Sequence, residues 1–175
     1  MRRFCLLAFL LITFSIPSLA QDQPVPAYVT QQNFPDSVGA VSIVDLDGTR
    51  LTFAEMISKS QGKKIMLDIW ASWCRDCIVG IPKLQDLQKS SNPSEVDFVF
   101  LSVDEDDAKW RKAIKKFGMN GKHYRIEGGW KNPLASYIVL DWVPRYIVIN
   151  EQGRVMMPKA IVADDKALES ALMTK

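Results

Sequence analysis

The chain has 175 residues, of which 47% are hydrophobic, and its formal net charge is +2. This length and composition suffice for one domain with a buried core. Because the Lys and Arg residues are dispersed and nearly balanced by acidic residues, nothing in the sequence indicates a nucleic acid or another polyanion as a partner.

The first twenty residues have the pattern of a secretory signal peptide. Two arginines precede an apolar run over residues 4–16, and residues 18–20 (Ser-Leu-Ala) are suited to cleavage. The run is shorter than the roughly 20 residues that span a bilayer, so cleavage after Ala20 is favoured over a retained N-terminal membrane anchor. We therefore expect export to the periplasm or cell envelope, with Cys5 removed together with the signal peptide.

The predicted elements begin with an extended lead-in over residues 21–38, which contain three prolines and show no sustained period. A single domain is predicted over residues 39–175. It starts with a β-hairpin, because residues 41–44 alternate, residues 45–48 (Asp-Leu-Asp-Gly) predict a turn, and a second strand begins at Leu51. A short helix over residues 53–57 follows and ends at Gln61-Gly62.

Residues 64–71 are almost continuously apolar, which predicts a strand covered on both faces, with Asp68 as its one internal acid. The next helix is predicted from Cys77 to about Ser90, with a kink at Pro82 because proline removes an internal hydrogen bond. Residues 96–103 predict a second buried strand. An amphipathic helix then carries an apolar stripe and a back of lysines before it ends at Gly118. The lysines are Lys109, Lys112, Lys115 and Lys116, and they predict a solvated surface.

The C-terminal third predicts a short strand over residues 123–126, a turn over 127–129 and a short helix over 132–139 with Pro133 in its first turn. A third clear strand over residues 146–149 turns at 150–153 into a partner strand over 154–157. Asp164 is predicted to cap a last helix. Because strands alternate with helices and end in a hairpin, we predict an α/β fold with a central mixed β-sheet and helices on both faces.

Two cysteines carry the chemistry. Cys74 and Cys77 are the only cysteines left after cleavage of the signal peptide. A disulfide between residues this close closes a tiny loop and adds little stability. The pair lies between a strand and a helix, where unpaired backbone N–H groups and the helix dipole favour a thiolate. We therefore predict that Cys74 attacks substrate disulfides and that the shielded Cys77 resolves the mixed disulfide by forming Cys74–Cys77.

A C-x-x-C pair is also half of a typical zinc site. Zinc would need two further ligands, and the mature chain offers only His123 as a nitrogen donor and no second cysteine pair. Redox chemistry is therefore favoured, with no metal and no cofactor beyond the redox-active disulfide. His123 itself is predicted to be a surface or edge-strand residue.

Residues 67–77 (Leu-Asp-Ile-Trp-Ala-Ser-Trp-Cys-Arg-Asp-Cys), with Pro82 five residues further on, resemble the active-site segment of thioredoxin-like proteins. Residues 45–48, 62–64, 102–104 and 142–150 resemble more specifically the exported TlpA/ResA-like branch. The resemblance spans about residue 41 to the C-terminus, and residues 119–141 match least. It implies a thioredoxin-like three-layer sandwich with an N-terminal β-hairpin extension, and a thiol–disulfide oxidoreductase.

The resemblance also implies roles for three residues. Pro144 matches the cis-proline that faces the disulfide, and the backbone of Val143 would pair with a substrate strand. Asp68 matches the buried acid that exchanges a proton with Cys77. Physical chemistry agrees, since a carboxylate in an apolar strand is costly when charged, so its pKa should rise towards neutrality. The alternative is that Asp68 faces a hydrated channel or a lysine.

The residues between the cysteines depart from the family pattern. Many relatives carry proline before the second cysteine, whereas this chain has Arg75 and Asp76. Arg75 would stabilise a Cys74 thiolate and Asp76 would oppose it, so the redox potential stays open. Trp73 and Trp142 are predicted to line an apolar docking surface for a partner polypeptide. The remaining tryptophans, Trp70, Trp110 and Trp130, are predicted to be packing residues.

The predicted function is reduction of disulfides in envelope polypeptides such as apocytochromes, with electrons from a membrane thiol carrier and with the protein acting as a monomer. The direction follows from the resemblance, because the same cysteine pair acts as an oxidant when its reduced form is stabilised. The alternatives are a disulfide-forming oxidant, a thiol peroxidase of the same fold, and a metal-binding or copper-delivery module.

Overall fold

A seven-stranded mixed β-sheet forms the centre of the structure, which is a computed structural model that describes residues 27–174. The strand order is β2-β1-β5-β4-β3-β6-β7. β3 is parallel to β4, and β4 is parallel to β5, whereas the other neighbours are antiparallel. The strands are β1 (Ser42–Asp45), β2 (Arg50–Thr52), β3 (Lys64–Trp70), β4 (Val96–Ser102), β5 (Lys122–Ile126), β6 (Arg145–Ile149) and β7 (Val155–Ala160).

Helices cover both faces of this sheet, as predicted. On one face, the Gln85 side chain of α4 bonds to the Phe117 carbonyl at the end of α5, and Lys83 of α4 pairs with Asp164 just before α7. On the other face, α2 contacts both α3 and α6. The helices are α1 (Ala27–Thr30), α2 (Asp36–Gly39), α3 (Phe53–Ser58), α4 (Arg75–Ser90), α5 (Asp107–Phe117), α6 (Pro133–Tyr137) and α7 (Lys166–Met173).

No helix within residues 27–174 combines the length and the apolarity needed to cross a bilayer. The predicted signal peptide over residues 1–20, with its cleavage point, lies outside the described residues.

β3 is the central strand of the core, and all seven of its residues are buried. Such a strand has both faces covered, which explains its continuous apolar sequence. Trp70 at its end and Trp110 on α5 are fully buried, so both are packing residues as predicted. Burial of an aromatic side chain of this size contributes about 1.5–3 kcal/mol to stability. The strand ends directly before the loop that leads to Cys74.

The predicted extended lead-in is wrong for its described part, which contains the short helices α1 and α2. Tyr28 and Val38 are buried in the core, and the Phe34 ring lies 5.1 Å from the Phe53 ring. These contacts with the domain decide the local conformation, which proline content and polarity could not reveal.

Two helix starts also differ from the prediction. α4 begins at Arg75 instead of Cys77, because Cys74 occupies the N-cap position and its sulfur accepts the Cys77 N–H. α7 is capped by Asp165 instead of Asp164, since Asp165 Oδ1 accepts the Ala167 N–H at 2.7 Å. Asp164 pairs with Lys83 across the surface. Both choices satisfy backbone donors that a helix start leaves open.

His123 is buried, so the prediction of a surface or edge-strand position is wrong. Its strand β5 lies between β4 and β1, inside the sheet. The imidazole stacks on the Phe100 ring at 5.0 Å, and its Nε2 lies 3.0 Å from the Met119 carbonyl oxygen. Burial lowers the pKa of His123, because it disfavours the charged form of the imidazole.

Candidate active site

A disulfide joins Cys74 and Cys77 at the N-terminus of α4, with the two Cα atoms 5.3 Å apart. The backbone N–H of Cys77 donates to Sγ of Cys74 at 3.1 Å. Because the first N–H groups of a helix have no partner within the helix, they are free to stabilise negative charge on this sulfur in the reduced protein. The geometry therefore suits Cys74 to be the attacking thiolate.

Burial does not separate the two cysteines, although the sequence predicted that Cys77 is the shielded one. Cys74 is 2% exposed and Cys77 is 3% exposed. What distinguishes them is their position, since Cys74 lies at the N-cap and Cys77 lies in the first turn. Access to Cys74 therefore depends on the side chains and loops around it.

The loop before β6 approaches the disulfide from the side. The peptide bond between Val143 and Pro144 is cis, and the Val143 carbonyl oxygen lies 3.3 Å from Sγ of Cys74. In the disulfide this sulfur carries no proton, so the contact becomes a hydrogen bond only when Cys74 is a thiol. Val143 and Pro144 thus lie where the resemblance places the contact with substrate.

Arg145 holds this loop from inside the protein. Its guanidinium is completely buried and donates to the Ile138 carbonyl at 3.0 Å and to Asp141 Oδ1 at 2.5 Å. The two bonds bracket Val139, a β-branched residue with a φ of 48°. Such a conformation is sterically unfavourable and persists only where the surroundings enforce it. Arg145 therefore fixes the segment that ends at Val143.

The predictions did not include Arg145. A charge directly after Pro144 inside a strand that reads as buried was the available signal. A buried charge needs a hydrogen-bond partner, so this signal predicts an acceptor close to Arg145 in space. The sequence does not identify Ile138 and Asp141 as the residues that supply it.

Asp68 is buried in β3, with only 2% of its surface exposed, and its Oδ1 has no hydrogen-bond partner among the described residues. Burial raises the pKa of Asp68 well above its ordinary value. The direction agrees with the prediction from the apolar sequence around this residue. Tyr146 is paired with Asp68 across the β3–β6 register, and its hydroxyl lies beneath Gly80 of α4, so Asp68 faces the helix that carries Cys77.

A second buried acid, Asp104, holds the loop before Cys74. Its carboxylate accepts the Ser72 backbone N–H at 2.8 Å and the Ser72 hydroxyl at 2.7 Å. It also accepts the Ser102 hydroxyl at 2.7 Å. Three donors satisfy this buried charge, which makes Asp104 a fixed anchor for the loop. Asp104 belongs to residues 102–104, which resemble the family, but the sequence predicts no contact for it.

Three tryptophans form a cluster beside the disulfide. Trp73 and Trp142 are 55% and 57% exposed, and their rings lie 6.3 Å apart. Trp130 lies 6.4 Å from Trp73; it is half-buried and packs against the hydrophobic core, as predicted. A cleft of about 700 Å³ opens next to this cluster, lined by Trp130, Val139 and Asp141 among others. Exposed aromatic rings with an adjacent cleft suit the docking of a polypeptide.

Arg75 and Asp76 are both exposed at the start of α4. Their charges therefore act on Cys74 mainly through water, which weakens each of them. The predicted lysine face of α5 contributes Lys109, Lys112 and Lys116 to a cleft that Trp73 also lines. Cations thus border one side of the tryptophan cluster.

Within residues 27–174, no group of three or more His, Cys, Asp or Glu side chains is placed to hold a metal ion. His123 stacks on Phe100, and its Nε2 lies 3.0 Å from the Met119 carbonyl oxygen.

Comparison with known families and proteins gives a consistent result. A family model described as Thioredoxin-like matches residues 62–155, more than half of the chain. Thiol-disulfide oxidoreductase ResA of Bacillus thuringiensis subsp. konkukian is 23% identical over 114 residues, which are 65% of this chain and 62% of that protein. The chloroplastic Thioredoxin-like protein HCF164 of Oryza sativa subsp. japonica is 30% identical over 128 residues, which are 71% of this chain and 47% of that protein. The chain thus spans less than two thirds of these relatives.

A solved structure supports the fold. The thioredoxin domain of a thiol-disulfide oxidoreductase from Bacteroides vulgatus superimposes with a TM-score of 0.64 at 18% identity, covering 77% of this chain and 97% of that domain. At this identity the likeness shows the fold. It agrees with the predicted central mixed sheet between helices and with the N-terminal β-hairpin.

Proposed function

Because the chain belongs to the thioredoxin-like family, we propose that it is a thiol–disulfide oxidoreductase in which Cys74 and Cys77 exchange electrons with disulfides of polypeptides. The observation that carries the proposal is the Cys74–Cys77 disulfide at the start of α4, with the Val143 carbonyl 3.3 Å from Cys74 Sγ. A sulfur at a helix N-terminus, beside a backbone acceptor and an exposed aromatic cluster, has what attack on a polypeptide disulfide requires.

The reaction begins with the reduced protein. The Cys74 thiolate attacks one sulfur of a substrate disulfide, the bond between the two substrate sulfurs breaks, and one substrate thiolate leaves. Cys77 then gives its proton to Asp68, and its sulfur attacks Cys74. The Cys74–Cys77 bond forms while the second substrate sulfur leaves as a thiolate and takes up a proton. The substrate gains two electrons, and the protein ends as the disulfide.

The proposal extends to location and direction. The signal-peptide pattern of residues 1–20 supports export to the periplasm or cell envelope. From the resemblance to the TlpA/ResA-like branch we further propose reduction of envelope polypeptides, with a membrane thiol carrier as electron donor and apocytochromes among the substrates. The relatives named Thiol-disulfide oxidoreductase ResA support the thiol–disulfide exchange itself. The mechanism needs no cofactor beyond the disulfide, and it treats the protein as a monomer.

Reduction of a polypeptide disulfide tests the activity. We expect the reduced protein to reduce insulin far faster than dithiothreitol alone, and Cys74→Ser to lose this acceleration. A wild-type rate equal to that of dithiothreitol would overturn the proposal. Equilibration with glutathione tests the direction, because a potential close to about −120 mV is typical of a strong oxidant and would overturn the reductant assignment.

Substrate trapping tests the roles of the two cysteines. In Cys77→Ser the resolving thiol is absent, so substrates should remain covalently bound to Cys74. The adducts should be released by dithiothreitol and should be absent from the double variant Cys74→Ser, Cys77→Ser. Equal trapping by Cys74→Ser alone would reverse the assignment of the attacking cysteine.

A further inference from the structure

Tyr146 lies directly opposite Asp68 in the register of β3 and β6. Side chains of such a cross-strand pair lie on the same face of the sheet, with Cβ atoms about 5 Å apart. Tyr146 is completely buried, and its hydroxyl has no hydrogen-bond partner among the described residues. The Asp68 carboxyl and the Tyr146 hydroxyl thus lie on the same face of the sheet, each with an oxygen that has no hydrogen-bond partner among the described residues.

Gly80 of α4 lies above this pair. A Cβ atom at Gly80 would stand 3.2 Å from the Tyr146 hydroxyl oxygen and 3.8 Å from the Ala163 Cβ. Glycine inside a helix is unfavourable, because it lacks the conformational restriction of other residues. Its presence here leaves room for the hydroxyl.

Three locally unfavourable features therefore lie close together. Asp68 is a buried acid, Tyr146 has a buried hydroxyl without a hydrogen-bond partner among the described residues, and Gly80 is a glycine inside a helix. The place lies three residues after Cys77, on the face of the sheet that α4 covers. Where a folded chain departs from local rules at one point, a functional reason is expected. None of these choices is needed to shape the Cys74–Cys77 bond itself.

A cleft opens near Gly80 as well. Ala163, whose Cβ would lie 3.8 Å from a Cβ atom at Gly80, lines a cleft of about 270 Å³ between α4 and the start of α7. The paired side chains of Lys83 and Asp164 line the same cleft. This opening is separate from the cluster of Trp73, where a substrate polypeptide would dock.

We propose that Tyr146 is a positioning residue that passes the proton of Asp68 to and from the cleft between α4 and α7. The proposal rests on the proposed disulfide exchange, which requires Asp68 to take up and release a proton once per cycle. A bound polypeptide covers the disulfide at that stage, so a route behind the active site allows the proton to move without release of the substrate.

Every proton and electron pair in this exchange has a donor and an acceptor. When Cys77 attacks Cys74, the Cys77 proton moves to the Asp68 carboxylate, and the electron pair of the broken bond leaves on the substrate sulfur. Asp68 then gives the proton to the Tyr146 oxygen through a bridging water molecule, while the hydroxyl proton of Tyr146 passes to water in the cleft. Rotation of the hydroxyl restores the starting state. Burial raises the pKa of Tyr146, so the side chain is neutral before and after the transfer.

Other ionisable groups also face this region, and their titration determines which control variants the test needs. Lys64 on β3 donates to carbonyl groups at the end of α7, and Lys83 of α4 pairs with Asp164. His123 lies in the same row of side chains as Asp68, with Phe100 between them. A change in the pH profile therefore needs comparison with His123→Gln, which keeps a donor for the Met119 carbonyl.

The test measures the rate at which dithiothreitol reduces the Cys74–Cys77 disulfide in the full-length protein. Tryptophan fluorescence monitors the reaction between about pH 5.5 and pH 9. Tyr146→Phe keeps the ring and removes the hydroxyl. We expect its rate near neutral pH to fall about tenfold, the scale of assisted proton transfer, and to recover partly on addition of imidazole or formate. Tyr124→Phe, which removes a hydroxyl on the opposite face of the sheet, and His123→Gln should react as the wild type does.

Three results would overturn the proposal. They are a wild-type rate and pH profile in Tyr146→Phe, a slower rate that small acids and bases leave unchanged, and an equal loss in Tyr124→Phe or His123→Gln. If Tyr146→Phe does not fold, Gly80→Ala replaces it, since its Cβ would stand 3.2 Å from the hydroxyl oxygen and crowd it, and an unchanged rate there would equally overturn the proposal. Dithiothreitol reduces the disulfide whatever the natural substrate is, so failure of the insulin assay remains distinguishable from failure of this one.

Discussion

Sγ of Cys74 and the carbonyl oxygen of Val143 lie 3.3 Å apart, although 69 positions separate them in the sequence. Each partner is held by a different buried charged residue. Asp104 anchors the loop that leads to Cys74, and Arg145 anchors the loop that ends at Val143. The position of Cys74 relative to Val143 therefore depends on both Asp104 and Arg145.

Arg145→Met should weaken substrate binding more than it weakens the fold. The substitution removes both hydrogen bonds to the loop and fills the space with an apolar side chain. Asp141 is 65% exposed, so water replaces its lost partner, and we expect the free energy of unfolding to change by less than about 2 kcal/mol. The KM for insulin should rise by about tenfold, because misplacement of a binding group weakens every productive complex.

The measurement is steady-state insulin reduction, compared with the rate at which dithiothreitol reduces the same variant. Arg154→Met is the matched control, since Arg154 is exposed on the β6–β7 hairpin. If Arg145→Met has the same KM as the wild type, the hydrogen bonds of Arg145 do not position the loop that ends at Val143 for substrate binding.

Stability should fall as the pH rises, because of Asp68. Burial raises the pKa of Asp68 above the value of about 3.9 that an unfolded chain has. Between these two pKa values the folded protein keeps a proton that the unfolded chain has lost. The contribution of protonated Asp68 is therefore fully present below the unfolded pKa and is lost as the pH rises through the folded pKa, by up to about 1.4 kcal/mol per pH unit.

Urea unfolding of the oxidised protein between about pH 4 and pH 9 measures this dependence. Asp68→Asn removes the titrating group. The difference in the free energy of unfolding between this variant and the wild type should therefore be smallest at low pH and should grow in favour of the variant as the pH rises. Curves that stay parallel over the whole range would contradict a raised pKa.

Much of the fold was predictable, because its signals are local. The continuous apolar run of residues 64–71 predicted a buried strand, and the spacing of Cys74 and Cys77 predicted their chemistry. The turn at residues 45–48 predicted the β1–β2 hairpin. Each of these features depends on residues within about ten positions of one another.

The anchors and the position of Trp130 beside Trp73 were not predictable in the same way. Asp104 contacts Ser72 across 32 positions, and Trp130 meets Trp73 across 57 positions. Such contacts are decided by the strand order of the sheet, which places β4 beside β3. A single sequence marks these residues only as an acid after a strand and a tryptophan in a loop.

The charges between the cysteines should shift the redox potential in opposite directions. Asp76→Asn removes a negative charge near the Cys74 thiolate, which stabilises the reduced form and raises the potential. Arg75→Gln should lower it. Because both side chains are exposed, each shift should be only about 5–20 mV.

Equilibration with glutathione at low and at high salt measures both shifts, and screening should reduce them at high salt. Asp76→Pro adds the residue that many relatives carry and should change the same equilibrium constant. Shifts of equal sign in Asp76→Asn and Arg75→Gln would exclude a charge effect, and an unchanged constant in Asp76→Pro would remove Asp76 from the tuning of the potential.

Asp104→Asn should loosen the loop that carries Cys74. Asparagine keeps one acceptor oxygen but turns an NH₂ group towards donors that now lack a partner. We expect a loss of about 1–3 kcal/mol in the free energy of unfolding, because a buried donor without a partner bears its full desolvation cost. Denaturant unfolding measures this loss.

The same variant should also change the reactivity of Cys74, which a loss of stability alone would not do. Cys74 meets the N-terminus of α4 only while the loop of Ser72 is fixed, so the midpoint of the pH profile for its alkylation by iodoacetamide should move to higher pH in Asp104→Asn. Asp47→Asn, in the exposed β1–β2 turn, should leave both quantities unchanged. A destabilised Asp104→Asn with the wild-type alkylation profile would limit Asp104 to a role in folding.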